Sequence, residues 1–447
     1  MPRVPAKFAI TAYRPVGKSA TQEGPGFRRP DLQSRHTWIP ADGPERLISL
    51  NLPRRETGLP VLQRFTSTKF MNIPLIKPDL PNLDEIRAPL EEILANGRIT
   101  NFGKYMMQFE TETGAYLGTQ TAAVSSGTTG LIFTLAALGL QRGQKVIVPS
   151  FTFMATAQAI LYAGGIPIFA EIDDDLTLSA DDLGQLLEEH KDTAAVIAVH
   201  MYGLPAQVRK IEAVVARASE RYGRKIALIF DAAHAFGSSV DGEVVGRFGD
   251  AEVFSLSVTK VLVTVEGGLV STRDAGLLNK IRCMRNYGVL SNYNAHFPGL
   301  NGKMSEFHAV VGLHNLRRLD LLLRARQNRA QCFRRKIESQ TQFRVTSWPE
   351  GIVHTFKDFT VLVPEVARDG YRDRIARFMA DRGVETRAYF YPAVHEQAYF
   401  AGYATRSLPQ TERLSRRVIT LPFFTTITEE EMDYIVLTLQ EAEKELL

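Results

Sequence analysis

Short apolar runs alternating with longer stretches of helical period set the layout of this chain. Lys145-Val-Ile-Val-Pro149, Ile166-Pro-Ile-Phe-Ala170, Ala194 to His200, Ile226 to Asp231 and Val253 to Leu256 are rich in branched and aromatic side chains and lack the polar alternation of a half-exposed strand. They predict parallel strands buried on both faces. Helical patterns between them imply right-handed crossovers and a doubly wound α/β sheet, whose ligands gather beyond the carboxyl ends of the strands. Function is therefore expected in the segments that directly follow these runs. The amphipathic stretch from about Ser305 to Glu338 predicts a long helix leading to a smaller C-terminal α+β part, marked by Phe359-Thr-Val-Leu-Val363 and a final acidic helix. Leu131 to Leu140, broken by Thr134 and Gly139, suits a buried helix and falls short of the roughly 18 apolar residues that cross a bilayer. No membrane span is expected.

The first 70 residues follow no such period. They hold nine of the 22 prolines and twelve Lys/Arg against five Asp/Glu. We read residues 1–70 as a disordered extension, 71–320 as a large α/β part that includes the N-terminal segment, and 321–447 as the small C-terminal part. Met71, opening Met71-Asn-Ile-Pro-Leu75 where periodic structure begins, offers a later start of translation; intact-mass measurement on protein from its native promoter tests this. An Arg-rich targeting segment is the rival reading, against which frequent proline argues. The charge distribution also removes a nucleic-acid reading. Of a net +4, residues 1–70 carry +7, so residues 71–447 carry −3 and have no global attraction to phosphate backbones.

Two cysteines, Cys283 and Cys332, are too few for a disulfide framework and point to a reducing cytoplasm. The nine histidines form no spaced ligand motif, and no metal is expected.

Four segments carry candidate chemistry. Ser125-Ser-Gly-Thr-Thr-Gly-Leu131 precedes an apolar helical run; its small residues either cap that helix or bring amides and hydroxyls to a phosphate. Phe230-Asp-Ala-Ala-His-Ala-Phe-Gly237 ends a buried strand on a carboxylate. Asp231 there either accepts loop amides or pairs with the protonated ring nitrogen of pyridoxal phosphate. In Phe254-Ser-Leu-Ser-Val-Thr-Lys-Val-Leu262, continuing to Glu266-Gly-Gly-Leu-Val270, Lys260 lies between apolar segments, a setting that suits a desolvated reactive amine. Phe151-Thr-Phe153 either packs in the core or covers one face of a planar ligand.

Taken in order, these segments resemble the DegT/DnrJ/EryC1/StrS family of pyridoxal-phosphate-dependent sugar aminotransferases. The resemblance runs from about Ile73 to the C-terminus and includes Gly97-Arg-Ile-Thr-Asn-Phe-Gly103, Pro149-Ser-Phe-Thr-Phe153, His200-Met-Tyr-Gly-Leu-Pro205, Gly299-Leu-Asn-Gly-Lys-Met304, Thr386-Arg-Ala-Tyr-Phe-Tyr-Pro392 and Leu421-Pro-Phe423. It implies the aspartate aminotransferase-like fold (PLP fold type I), with Lys260 carrying the cofactor as a Schiff base and Asp231 on the pyridine nitrogen. By the same resemblance Gly127, Thr128, the Thr129 amide and Ser255 hold the phosphate, Phe153 stacks on the ring, and His234 lies near the ring hydroxyl. Asn301 would reach the phosphate of a neighbouring subunit, so a homodimer shares the site. Three positions depart from the family's usual residues: Lys303 stands for Arg, Val265 for Gly, and Leu256 for an aromatic.

The activity this implies moves an amino group from an amino acid, glutamate for preference, to a nucleotide-linked keto-deoxysugar for glycan or secondary-metabolite biosynthesis. A pyridoxal-phosphate sugar dehydratase is the alternative enzyme, disfavoured because Lys260 stands where dehydratase relatives carry histidine. A cofactor-bound regulatory or scaffold protein without turnover is the alternative of another class.

Overall fold

All five apolar runs form strands of one seven-stranded sheet. Its parallel part runs Ala251–Ser255, Ala227–Asp231, Ala195–Val199, Lys145–Pro149, Ile166–Ala170. Successive side chains of the inner strands enter cores on opposite faces: Val196, Ala198, Leu228 and Phe230 on one, Ala195, Ile197, Ala227 and Ile229 on the other. Burial on both sides is why these runs show no polar alternation. A computed structural model describes residues 70–346, 348–365 and 370–446, so the reading of residues 1–70 as disordered lies, apart from Phe70, outside the described residues. Among the described residues, no helix is long and apolar enough to cross a membrane.

Two strands complete the sheet beyond Ala251–Ser255. Gly268–Thr272 runs antiparallel to it, and Gln120–Val124 runs antiparallel to Gly268–Thr272 in turn. Gly268 pairs with both Ser255 and Val124, which places the two loops that follow those residues side by side. A side chain at Gly268 would run into the Ser126 carbonyl, so only glycine permits this approach. The helix Gly127–Ala137 packs equally close: a Cβ at Gly130 would meet Val253 at 2.7 Å and Val270 at 3.2 Å.

The predicted long helix spans Glu306–Gln340 and is capped by Ser305. Its Leu313, Leu316, Leu319 and Leu323 belong to the core of the large sheet, whereas Ala330, Phe333 and Ile337 belong to a separate C-terminal core. That second core surrounds a three-stranded antiparallel sheet, Arg344–Val345, Phe359–Leu362 and Val418–Leu421, flanked by helices Tyr371–Asp381 and Glu429–Leu446. Ile73 joins this second core, its amide donating to the Gly383 carbonyl at 2.8 Å and its carbonyl accepting from Glu385 at 3.0 Å. The Gly97 to Gly103 motif docks the start of the long helix. The fully buried Glu306 carboxylate accepts the amides of Tyr105 (2.8 Å) and Met106 (2.9 Å), capping helix Lys104–Leu117, and it fills the space a Cβ at Gly103 would need.

Candidate active site

The carboxyl ends of the parallel strands open on a cavity of about 410 Å³ lined by Ser126, Gly127, Thr128, Phe153, Thr156, Asp231, His234, Ser255, Lys260, Glu266, Lys357, Tyr389 and Phe390, among others. Seven of the nine predicted site residues are therefore brought together: Gly127, Thr128, Phe153, Asp231, His234, Ser255 and Lys260. Thr129 and Asn301 are not on its wall. Thr129 is spent on the helix cap: its amide donates to Ser126 Oγ at 3.1 Å, and its Oγ1 accepts from the Ser126 amide at 3.0 Å. The Thr129 amide is thus already bonded, which leaves the first two amides of the helix, Gly127 and Thr128, as the ones without an intrahelical acceptor. Asn301 is exposed and bridges to Asn286.

At the other side of the cavity Asp231 is the last residue of its strand, only 5% exposed. Its hydrogen-bond partners are neutral: Thr156 Oγ1 donates to Oδ2 at 2.8 Å and the Ala233 amide to Oδ1 at 3.1 Å. Burial pushes its carboxyl above the ordinary range, against the pull of those two donors and of Lys260. Thr152 Oγ1 lies 2.9 Å from Thr156 Oγ1 and holds it in place.

His234 Nδ1 accepts the Tyr202 amide at 3.2 Å, which leaves Nε2 to carry the proton. Burial first, then the Lys260 and Lys357 charges, hold this imidazole well below its usual pKa and so neutral. The His200 to Pro205 motif serves as its support. His200 is buried against Phe230, with Nε2 2.9 Å from Glu252 and Nδ1 accepting the Ala206 amide at 2.9 Å, and this positions Tyr202. Phe153, half exposed, faces the cavity next to Phe390, with ring centroids 5.9 Å apart.

Lys260 follows the Ala251–Ser255 strand in a loop closed by its own amide on the Ser257 carbonyl at 2.9 Å. Burial, and next the neighbouring Lys357 ammonium, bring its amine down to about 7. A neutral amine near physiological pH is a nucleophile and a proton carrier.

Thr156, Lys357, Tyr389 and Phe390 also line the cavity and Asp358 pairs with Lys357, although the reading of the sequence assigned none of them a role. Thr156 lies in the first turn of helix Met154–Tyr162, directly after the Phe151-Thr-Phe153 motif, and that position was the available signal. Lys357-Asp358, a charged pair set directly before an apolar strand, carried a similar signal.

A lysine, a carboxylate and the start of a helix thus meet beyond the strand ends of the large sheet. The profile of the DegT/DnrJ/EryC1/StrS aminotransferase family matches residues 82–440, and the chain belongs to that family. Aminotransferases of this family depend on pyridoxal phosphate, and the expected α/β fold is the one found. Among curated relatives, the chain is 32% identical over 369 residues to a dTDP-4-amino-4,6-dideoxy-D-glucose transaminase of Shigella dysenteriae, covering 82% of this chain and 97% of the relative. It is 30% identical over 368 residues to a GDP-perosamine synthase of Vibrio cholerae, covering 81% and 97%. Among solved structures, that of DesI with its TDP-sugar product superposes with a TM-score of 0.75 at 31% identity, covering 84% of this chain and 95% of the other.

Proposed function

We propose that this aminotransferase moves an amino group from an α-amino acid, with glutamate the expected donor, to a nucleotide-linked keto-deoxysugar. The observation that carries the reading is the convergence of Lys260, Asp231 and the Gly127–Thr128 helix start on one cavity. These groups fit pyridoxal phosphate, because the buried Asp231 carboxylate has only neutral hydrogen-bond donors and gains from a cationic partner such as a protonated ring nitrogen. The nucleotide-sugar substrate is supported by the named relatives, which act on dTDP- and GDP-linked sugars.

When bound, pyridoxal phosphate supplies an electron sink for the α-carbon of the amino substrate. Around it the chain does the rest. Gly127 and Thr128 amides, with the Thr128 and Ser255 hydroxyls, bind the phosphate at a helix N-terminus. Asp231 would keep the ring nitrogen protonated, Phe153 would cover the ring, and His234, with Nδ1 occupied by the Tyr202 amide, would have its Nε2 proton to offer the ring hydroxyl. Lys260 Nζ would hold the cofactor covalently, and its amine, brought down to about 7, would be available as the proton carrier at the reacting carbon. In the proposed homodimer, Asn301 of one copy completes the phosphate site of the other, in keeping with its exposure and its position off its own cavity wall. We place the boundary of the large and small parts within the long helix, between Leu323 in one core and Ala330 in the other, a few residues past the 321 expected from the sequence.

The test is the visible spectrum of the purified protein with pyridoxal phosphate, before and after glutamate, beside Lys260→Ala. A lysine-dependent band that glutamate converts to the amine form of the cofactor is the expected result. A band that glutamate leaves unchanged removes the donor assignment, and no band removes the site assignment.

A further inference from the structure

The cavity holds a second lysine that the roles above leave unused. We propose that Lys357 recognises the α-carboxylate of the amino donor and so selects α-amino acids over other amines. The inference rests on the reading that the donor is an α-amino acid.

Lys357 is placed by a strained and heavily tied bend. Phe356 has φ +49°, a left-handed conformation costly for a residue with a side chain. Arg326, a residue only 5% exposed, holds that bend through its guanidinium, which donates to the carbonyls of Thr355 (3.2 Å), Phe356 and Lys357 (3.3 Å). The Lys357 amide donates to the Tyr202 carbonyl at 2.9 Å, and Thr355 Oγ1 to the His234 carbonyl at 2.7 Å. The bend is thus fastened to the two residues whose contact orients His234.

The Lys357 side chain is 4% exposed and lines the cavity. Its Nζ donates to Asp358 Oδ1 at 2.7 Å and lies 5.4 Å from the Tyr389 ring centroid. An ammonium has three donors, and a buried one with spare donors is best satisfied by an incoming acceptor. Asp358 offsets part of the cost of burying that charge. Its own Oδ2, buried and unpartnered, marks the pair as a partly satisfied network.

Substrate chemistry supplies the missing acceptor. An α-amino acid carries its carboxylate on the carbon that bears the reacting nitrogen, so the carboxylate must lie close to Lys260 Nζ. Among the lysines and arginines on the cavity wall, Lys357 is the one not assigned to the cofactor. Lys357 and Lys260 line the same cavity of about 410 Å³, so one small donor can meet both. A keto sugar has no carboxylate at its reacting carbon, so the same lysine need not contribute to the acceptor half of the cycle.

The experiment uses the holoenzyme and reads the half-reaction spectrally. L-glutamate is compared with its α-carboxamide, and α-methyl-L-glutamate binding is measured by calorimetry. Lys357→Gln should raise the saturation constant for glutamate and the dissociation constant of α-methyl-L-glutamate about ten- to a hundred-fold, with Lys357→Arg closer to wild type. The wild type should favour glutamate over the carboxamide by a similar factor, and Lys357→Gln should lose that preference. Lys357→Gln/Asp358→Asn, which removes both buried charges, guards against misfolding of the single variant. An unchanged saturation constant in either folded variant, or a wild type indifferent to the carboxamide, overturns the assignment while leaving the functional reading intact. A wild-type holoenzyme that no α-amino acid converts overturns the functional reading, and this assignment with it.

Discussion

Thr156 Oγ1 donates a 2.8 Å hydrogen bond to Asp231 Oδ2, joining the helix after one parallel strand to the carboxylate that ends another. Through this bond a hydroxyl 75 positions away in the sequence helps keep the carboxylate ionised in a buried place.

Asp231→Asn should keep cofactor binding but lose turnover on the order of a hundred-fold, because the amide cannot hold the ring nitrogen protonated. Thr156→Val should slow the half-reaction about five- to tenfold by removing one neutral donor. Stopped-flow spectra at equal cofactor occupancy measure both. Full activity in Asp231→Asn would count decisively against its role.

The Lys260 amine at about 7 gives a pH prediction for the protein without cofactor. An unfolded lysine titrates near its ordinary 10.5, so between about 7 and 10.5 the unfolded state binds the extra proton. This group therefore makes stability rise with pH across that window. Lys260→Met should flatten that part of the profile in denaturant unfolding measured from pH 7 to 10. Lys357→Gln should move the pH midpoint of Lys260 labelling by an amine-reactive reagent upward, because the Lys357 charge is one of the two effects that depress it.

Glu306→Ala should destabilise the fold by about 1–3 kcal/mol, since two amides at the start of helix Lys104–Leu117 lose their acceptor. The Lys260-dependent spectrum should keep its position. A thermal midpoint equal to wild type would show that water replaces the carboxylate without cost.

Val265 occupies φ +71° just before the Glu266-Gly-Gly turn. A β-branched residue is strained there, and Val265→Gly should stabilise the protein by about 1 kcal/mol after allowing for the greater freedom of glycine in the unfolded chain. Chemical denaturation of the two proteins decides it.

The sequence by itself determined the five parallel strands, the long helix and seven residues of the cavity. Strand runs are local patterns of burial, and parallel strand ends gather whatever follows them, so Asp231, Ser255 and Lys260 were legible without coordinates. The antiparallel strand Gly268–Thr272 was not, because its direction depends on pairing with two segments far apart in the chain. Ile73 likewise gave no local sign that it would join the C-terminal core. Tertiary structure alone decided that Thr129 spends its amide on Ser126 and that Thr156 supports Asp231. It also decided that Arg326 bends the chain to aim Lys357 into the cavity. Each of these is a hydrogen bond between groups whose separation in sequence or competing partner fixes the outcome, and side-chain donors carry no periodicity that marks where they will be used.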